Sequence, residues 1–76
     1  MLDRLVQYRA YEFIYTNYAG KISNRRIRYL STEYGTIDPY YKEPTMMLRG
    51  FDIDKNAERS FNIRMIDMNT FKQMDA

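Results

Sequence analysis

The sequence contains no cysteine and no histidine among its 76 residues. Disulfides are therefore excluded, and a structural zinc site has no plausible ligands. Acid–base or nucleophilic catalysis would fall to carboxylates, Lys or Tyr. The ten acidic residues are scattered, and no pair has a spacing typical of a catalytic site. We therefore predict that the protein is not an enzyme and uses no metal or cofactor.

Long apolar runs are also missing, and glycine and proline are scarce, with three and two residues respectively. No apolar run reaches the length of a membrane span, and none resembles a signal peptide. We expect a cytoplasmic protein that makes no membrane contact.

Seventy-six residues form one domain, residues 1–76, with a modest core. Self-association as a homodimer or higher oligomer is expected, because it would bury additional apolar area.

Aromatic residues are abundant, with eight Tyr and four Phe, and they suit a pleated, half-buried sheet. Tyr11, Phe13 and Tyr15 alternate with other residues, which predicts a first strand with an aromatic face. Residues 17–20 then form a turn in which Gly20 or Asn17 supplies a left-handed residue. A second strand over about residues 21–30 completes a hairpin.

The second half of the chain predicts another pair of strands. Residues 31–39 form a loop or short edge segment, and the third strand begins just after Pro44, which has no N–H for a ladder. Gly50 marks a bulge or bend in that strand. A bent strand that is apolar on both faces favours a small barrel, so we predict a mainly β fold.

Residues 52–58 form a polar turn before a strand in which Phe61, Ile63 and Met65 share one face. The turn has a calcium-loop-like opening, Asp52-x-Asp54, but Ala57 and Ile63 stand where that motif needs Gly and Glu. We therefore interpret it as a solvated hairpin turn. The predicted core residues are Tyr11, Phe13, Leu48, Phe51, Phe61 and Ile63.

The sequence allows two structural interpretations for each end of the chain. Residues 1–9 have helical spacing of Leu2, Leu5 and Val6, but this segment could equally lead into the first strand. Residues 67–76 form one or two helical turns or fray.

Eight of the twelve basic residues are arginines, and Arg25, Arg26 and Arg28 are clustered. Arginine binds phosphate bidentately and stacks on aromatic or base faces. Strand alternation places Arg26 and Arg28 on one face and Arg25 on the other. The competing interpretation is that these arginines only keep the faces of the sheet soluble, within a net charge of +2.

Over about residues 11–66, an ordered set of short motifs resembles the WYL domain, and in particular short, free-standing WYL-like proteins. The motifs are Tyr15-x-Asn17-Tyr18-x-Gly20, Arg25-Arg26-Ile27, Tyr34-Gly35, Tyr40-x-x-Glu43-Pro44-x-Met46-Met47-Leu48-x-Gly50-Phe51-Asp52-x-Asp54-Lys55 and Arg59-Ser60-Phe61-x-Ile63. The resemblance implies an Sm-like or SH3-like β-barrel that senses nucleic acid or nucleotide derivatives. It also implies a regulatory or antiviral-defence setting.

The sequence departs from the WYL pattern at several positions. The Trp-Tyr-Leu triplet that names the family falls on Met46, Met47 and Leu48, and a second family tryptophan falls on Tyr40. The family arginine near the end of the motif falls on Met65, beside Arg64. Methionine does not replace the stacking of an aromatic ring on a base. Binding would then rely on the tyrosines or be weakened.

The leading hypothesis is a small binding module for a nucleotide or single-stranded nucleic acid. One version is a phage-encoded protein that acts on host defence or transcription in the host cytoplasm. The alternative is a structural or interaction domain that binds a host protein and no nucleotide. The candidate ligand-binding residues are arginines and tyrosines: Tyr15, Tyr18, Arg25, Arg26, Arg28, Tyr40, Tyr41, Arg49, Arg59 and Arg64. Arg26 and Arg59 are the first choices for phosphate, since neither has an obvious carboxylate partner in the sequence.

Overall fold

The computed structural model describes residues 5–37 and 41–74. These residues form a single antiparallel sheet of five strands in the order β4-β3-β2-β1-β5. The strands are β1 (Ala10–Thr16), β2 (Ile22–Ile37), β3 (Tyr41–Asp52), β4 (Ala57–Asn62) and β5 (Ile66–Gln73), and a 3₁₀ helix (Ile63–Met65) separates β4 from β5. The mainly β prediction is confirmed. No helix in these two ranges is long and apolar enough to cross a membrane.

The sheet is not closed into a barrel. Each strand pairs with its neighbour in the order above, and within the described ranges β4 and β5 lie at opposite edges without pairing to one another. The second strand is central, because β1 and β3 flank it, so its backbone offers no free edge for self-association where both neighbours pair with it.

The first hairpin has the predicted form. Gly20 takes the left-handed conformation with φ +82°, which glycine adopts without steric cost. The side-chain oxygen of Asn17 accepts hydrogen bonds from the backbone N–H groups of Ala19 and Lys21, both at 2.9 Å. These bonds let the chain reverse tightly between β1 and β2.

The second strand is longer than predicted. Ser31 and the residues up to Ile37 belong to β2 rather than to a loop, and β3 begins at Tyr41 rather than after Pro44. Pro44 is tolerated because β4 pairs only from Met47 onward, so no β3–β4 bond is missing at the proline. The predicted loop residues that follow Ile37, up to position 40, lie outside the described residues.

This extra length of β2 and β3 projects from the sheet as a two-stranded ribbon. Pairing of β2 with β1 ends at Arg28, whereas its pairing with β3 continues to Ile37. The ribbon, residues 34–37 and 41–46, therefore lacks a third strand on either side within the described residues.

Gly50 lies where two strands approach closely, as its place in the sequence suggested. A Cβ atom there would lie 2.6 Å from Cδ1 of Ile27 and 3.1 Å from the carbonyl oxygen of Arg28. The β2–β3 register shifts next to it, because Leu30 is an additional residue between the pairs formed by Tyr29 and Ser31. The bulge therefore lies beside Gly50 but on β2, not on the third strand where the sequence predicted it.

The predicted strand through Met65 is wrong beyond Asn62. The side chain of Asn62 accepts a hydrogen bond from the N–H of Arg64 at 2.9 Å and caps the 3₁₀ helix. This cap turns the chain, so that Ile63 is only half-buried and Met65 is exposed. The prediction relied on the alternation of Phe61, Ile63 and Met65. That pattern does not show that the Asn62 side chain forms a local hydrogen bond, which competes with the strand ladder.

Residues 66–73 pair with β1 as a strand, and they form neither of the predicted alternatives, a helix or a frayed end. Residues 75 and 76 of the predicted segment lie outside the described residues. Phe71 enters the core and stacks on Phe13 with ring centroids 5.4 Å apart. The hydroxyl of Thr70 accepts a bond from the N–H of Ile14 at 2.8 Å. Pairing satisfies the backbone of β1, which would otherwise be an open edge. Residues 5–9 contain no helix and lead into β1.

The core lies on one face of the curved sheet. Tyr11, Phe13, Leu48 and Phe61 are buried as predicted. Phe51 is only half-buried, because alternation along β3 points it away from the face of Leu48. The sequence missed four further core residues: Tyr15, Ile27, Ile66 and Phe71.

Replacing Phe61 with Ala should lower the free energy of unfolding by about 3–5 kcal/mol. The ring of Phe61 is nearly inaccessible and packs edge-on against Phe13 and Tyr15, with ring centroids 5.3 and 5.0 Å apart. Met65→Ala is the control and should change stability by no more than about 0.5 kcal/mol. Urea unfolding measures the free energy of unfolding of both variants. An equal loss of stability in the two variants would contradict the turn of the chain after Asn62.

Candidate functional site

A polar groove of about 490 Å³ lies at the end of the sheet where the β1–β2 and β3–β4 turns meet. Successive turns of an antiparallel meander alternate between the two ends of a sheet, so these two turns lie at the same end. The charged side chains that line the groove are Lys21, Arg25, Asp52, Asp54, Lys55 and Arg59. Asn17, Ser23 and Asn24 complete its lining.

A buried ion pair between Arg25 and Asp52 lies at the base of the groove. Nη1 of Arg25 lies 3.1 Å from Oδ2 of Asp52, and the side chain of Asp52 is 1% exposed. The second carboxylate oxygen accepts bonds from the N–H groups of Asp54 and Lys55, both at 3.1 Å. Asp52 therefore fixes both the arginine and the β3–β4 turn.

Arg25 lies on the core-facing side of the sheet. It is opposite Phe13 in the β1–β2 register, and its guanidinium carbon lies 5.8 Å from the ring centre of Phe61. Nε of Arg25 is buried and has no hydrogen-bond partner among the described residues. The position of this cation therefore depends mainly on Asp52 and the aromatic ring.

The second carboxylate of the groove, that of Asp54, forms an ion pair with Arg26 on the outer face of the sheet. Nε of Arg26 donates to Oδ2 of Asp54 at 3.2 Å, and Nη2 of Arg26 contacts Oδ1. This hydrogen bonding lowers the pKa of the Asp54 carboxyl and raises the pKa of the Arg26 guanidinium. Both carboxylates of the groove are thus already neutralised by arginine.

Three cations of the groove remain without such a partner. Lys21, Lys55 and Arg59 form no ion pair with a carboxylate anywhere in residues 5–37 and 41–74. Arg59 points to the core-facing side, because it lies two residues before Phe61 on β4. The lining therefore carries an uncompensated positive charge and suits an anion.

The structure separates the arginines predicted as site residues. Arg25 and Arg59 line the groove, and Arg26 borders it through Asp54. The expectation that Arg26 has no carboxylate partner is wrong, because the sequence does not show that the β3–β4 turn folds next to β2. Arg49 points to the outer face and pairs with Glu58 at 2.9 Å.

The remaining predicted arginines lie away from the groove. Arg28 is on the outer face, as alternation predicted, and its Nη1 donates to the carbonyl of Tyr8 at 3.1 Å. Arg64 is exposed on the 3₁₀ helix. One residue of the earlier cluster thus lines the groove, and the others are distributed over the surface.

The predicted tyrosines do not form one surface with these arginines. Tyr15 is a core residue, and its hydroxyl accepts a bond from the N–H of Asn62 at 3.0 Å. Tyr18 is exposed in the β1–β2 turn but is not part of the groove lining. Tyr40 and the side chain of Tyr41 lie outside the described residues.

Sequence reasoning missed Lys21, Lys55 and the pairing role of Asp52. The available signal was that Lys21 directly follows one predicted turn and Lys55 lies within the other, and that the two turns lie at one end of an antiparallel meander. No group of three acidic, His or Cys side chains that could hold a metal ion occurs in the part of the chain that the structure describes.

Replacing Asp52 with Ala should lower the free energy of unfolding by about 3–5 kcal/mol, because a buried cation loses its partner. The N–H groups of Asp54 and Lys55 would also lose their acceptor. Asp52→Asn retains an acceptor oxygen and should cost less. The double variant Arg25→Met/Asp52→Asn removes the unpaired charge and should be more stable than Asp52→Ala. Urea unfolding of all three tests this, and an Asp52→Ala variant as stable as the parent contradicts it.

Comparisons of this chain with protein-family models, with curated proteins and with solved structures find no match. The resemblance to the WYL domain therefore stays a prediction that the motifs alone support. The proposed function therefore rests on the geometry of the groove and of the outer face of the sheet.

Proposed function

We propose that the protein is a non-enzymatic binding module that holds the phosphate of a nucleotide or oligonucleotide in the groove between its two turns. The observation that carries this proposal is the set of three cations without carboxylate partners, Lys21, Lys55 and Arg59, in a groove whose two carboxylates are already paired. The proposed site of action is the cytoplasm, and the proposed role is regulatory.

The chemistry of the lining favours phosphate over a carboxylate or an apolar ligand. Arg59 offers a planar pair of donors that matches two phosphate oxygens, and the lysines add point charges. Ser23 and Asn24 add a hydroxyl and an amide that can bond sugar hydroxyls. The volume of about 490 Å³ lies within the range of small-ligand sites.

No aromatic side chain of the described residues lines the groove. A base therefore has no ring in the groove on which to stack, and the phosphate and sugar provide the contacts. We infer that the groove recognises nucleotides by charge, with little selectivity among bases. Recognition by charge does not require the Trp and Tyr of the WYL triplet, in whose places this chain has Met46 and Met47.

The competing function is a protein-interaction domain, and the ribbon favours it. Tyr34 and Met46 are cross-strand neighbours on the ribbon and are 70% and 43% exposed. Adjacent exposed apolar side chains often mark an interface. A host protein would be the proposed partner, and its binding would depend little on salt.

We also propose that the sheet is an open relative of the Sm-like and SH3-like barrels. Support comes from the strand order and from the short 3₁₀ helix between β4 and β5, which packs against β3. A further bend of the two edge strands towards one another would complete such a barrel.

Replacing Arg59 with Gln should weaken binding of ATP by about 10- to 150-fold, because a charge-assisted hydrogen bond is lost. Arg64→Gln removes the same charge outside the groove and serves as the matched control. Titration calorimetry at low salt measures the parent and both variants. The parent affinity should fall steeply between about 50 and 200 mM salt. Parent protein that binds neither ATP nor a short oligonucleotide contradicts the proposed function, and equal losses in the two variants contradict the site.

We propose that the protein self-associates through the edge strands β4 and β5. Neither contains proline, and their outer backbone groups have no strand partner within the described residues. Pairing would extend the sheet and bury further apolar area. We expect a homodimer or larger assembly in sedimentation equilibrium at micromolar concentration. A single species at the monomer mass of 9.3 kDa would contradict this proposal.

A further inference from the structure

A tight turn immediately before β1 contains a tyrosine in an unfavourable backbone conformation. The N–H of Arg9 donates to the carbonyl of Val6 at 3.1 Å and closes the turn over residues 6–9. Tyr8 occupies the third position with φ +72°. Turns with a positive φ at this position favour Gly or Asn, and a bulky residue there is strained.

Backbone hydrogen bonds explain why the turn forms but not why its third residue is Tyr. The N–H of Tyr8 donates to the carbonyl of Tyr29 at 2.7 Å, and the N–H of Tyr29 donates to the carbonyl of Arg9 at 3.0 Å. Glycine at position 8 could make the same backbone bonds without strain. The Tyr8 residue is 64% exposed, so burial does not compensate for the strain.

Two arginines lie next to Tyr8, one through a contact with its backbone and one in the sequence. Nη1 of Arg28 donates to the carbonyl of Tyr8 at 3.1 Å, and Arg9 follows Tyr8 directly in the chain. Both arginines are exposed, and neither forms an ion pair with a carboxylate among residues 5–37 and 41–74. The surface thus combines an accessible aromatic side chain with two guanidinium groups that have no carboxylate partner among the described residues.

We propose that Tyr8, Arg9 and Arg28 form a second binding site, the Tyr8 site, whose ligand is single-stranded nucleic acid. A base stacks on the ring of Tyr8, and the adjacent phosphates bind the two guanidinium groups. Strain retained at an exposed residue is understandable when the side chain serves binding rather than folding. Two cations without a carboxylate partner in the described part of the chain favour a polyanion over an apolar peptide.

The Tyr8 site is separate from the groove and does not depend on it. Arg28 lies on the outer face of β2, whereas Arg25 of the groove lies on the core-facing side. Along β2, Arg28 is three residues beyond Arg25, the nearest lining residue of the groove, about 10 Å along an extended strand. The two sites can therefore be tested with different variants.

The absence of tryptophan from the chain allows a direct test. Tyr8→Trp introduces a single indole at the proposed stacking position. Titration with short oligothymidylate and oligoadenylate should quench its fluorescence in a saturable, salt-dependent manner. Tyr34→Trp places an equally exposed indole on the ribbon and should show no saturable quenching. Equal responses of the two indoles, or no response at Tyr8→Trp, would overturn the proposal.

Substitution of Tyr8 itself distinguishes a binding role from a structural one. Tyr8→Gly should unfold at a denaturant concentration equal to or higher than the parent, while its affinity for the oligonucleotides falls about 5- to 150-fold. Tyr8→Phe keeps the ring and should bind like the parent. The groove variant Arg59→Gln should leave the quenching of a Tyr8→Trp background unchanged. A Tyr8→Gly variant that binds as tightly as the parent would overturn the Tyr8 site.

Discussion

The ion pair between Arg25 and Asp52 joins the hydrophobic core to the groove. The arginine lies on the same face of the sheet as Phe13 and packs over Phe61, so its charge needs a partner that is equally buried. Asp52 provides that partner and also accepts two backbone N–H groups of the next turn. Its position at the end of β3 therefore determines where the groove lies.

Alternation along the strands divides the arginines between two environments. Arg25 and Arg59 are on the core-facing side, where the ring of Phe61 lies next to Arg25. Arg26, Arg28 and Arg49 are on the outer face. Of these outer arginines, Arg26 and Arg49 have carboxylate partners, so their charge is largely compensated. Whether an arginine has a carboxylate partner thus matters more for the local charge of the surface than the number of arginines in the sequence.

The strands with clear alternation and the turns with clear turn residues could be predicted from the sequence. β1, the Gly20 turn and the crowding at Gly50 follow from local patterns that the folded chain keeps. β5 could not be predicted, because residues 67–73 lack a period of two and become a strand only by pairing with β1. The end of β4 was missed because the Asn62 side chain competes with the ladder.

The groove was only partly predictable, because its charge balance depends on contacts between residues that are distant in the sequence. Arg25 and Asp52 are 27 residues apart, and Arg26 and Asp54 are 28 apart, so no local pattern shows that these arginines are neutralised. The lysines near the turns gain importance only once the arginines are paired. Since the groove exists only when both turns are in place, any anion that binds there must also stabilise the folded sheet.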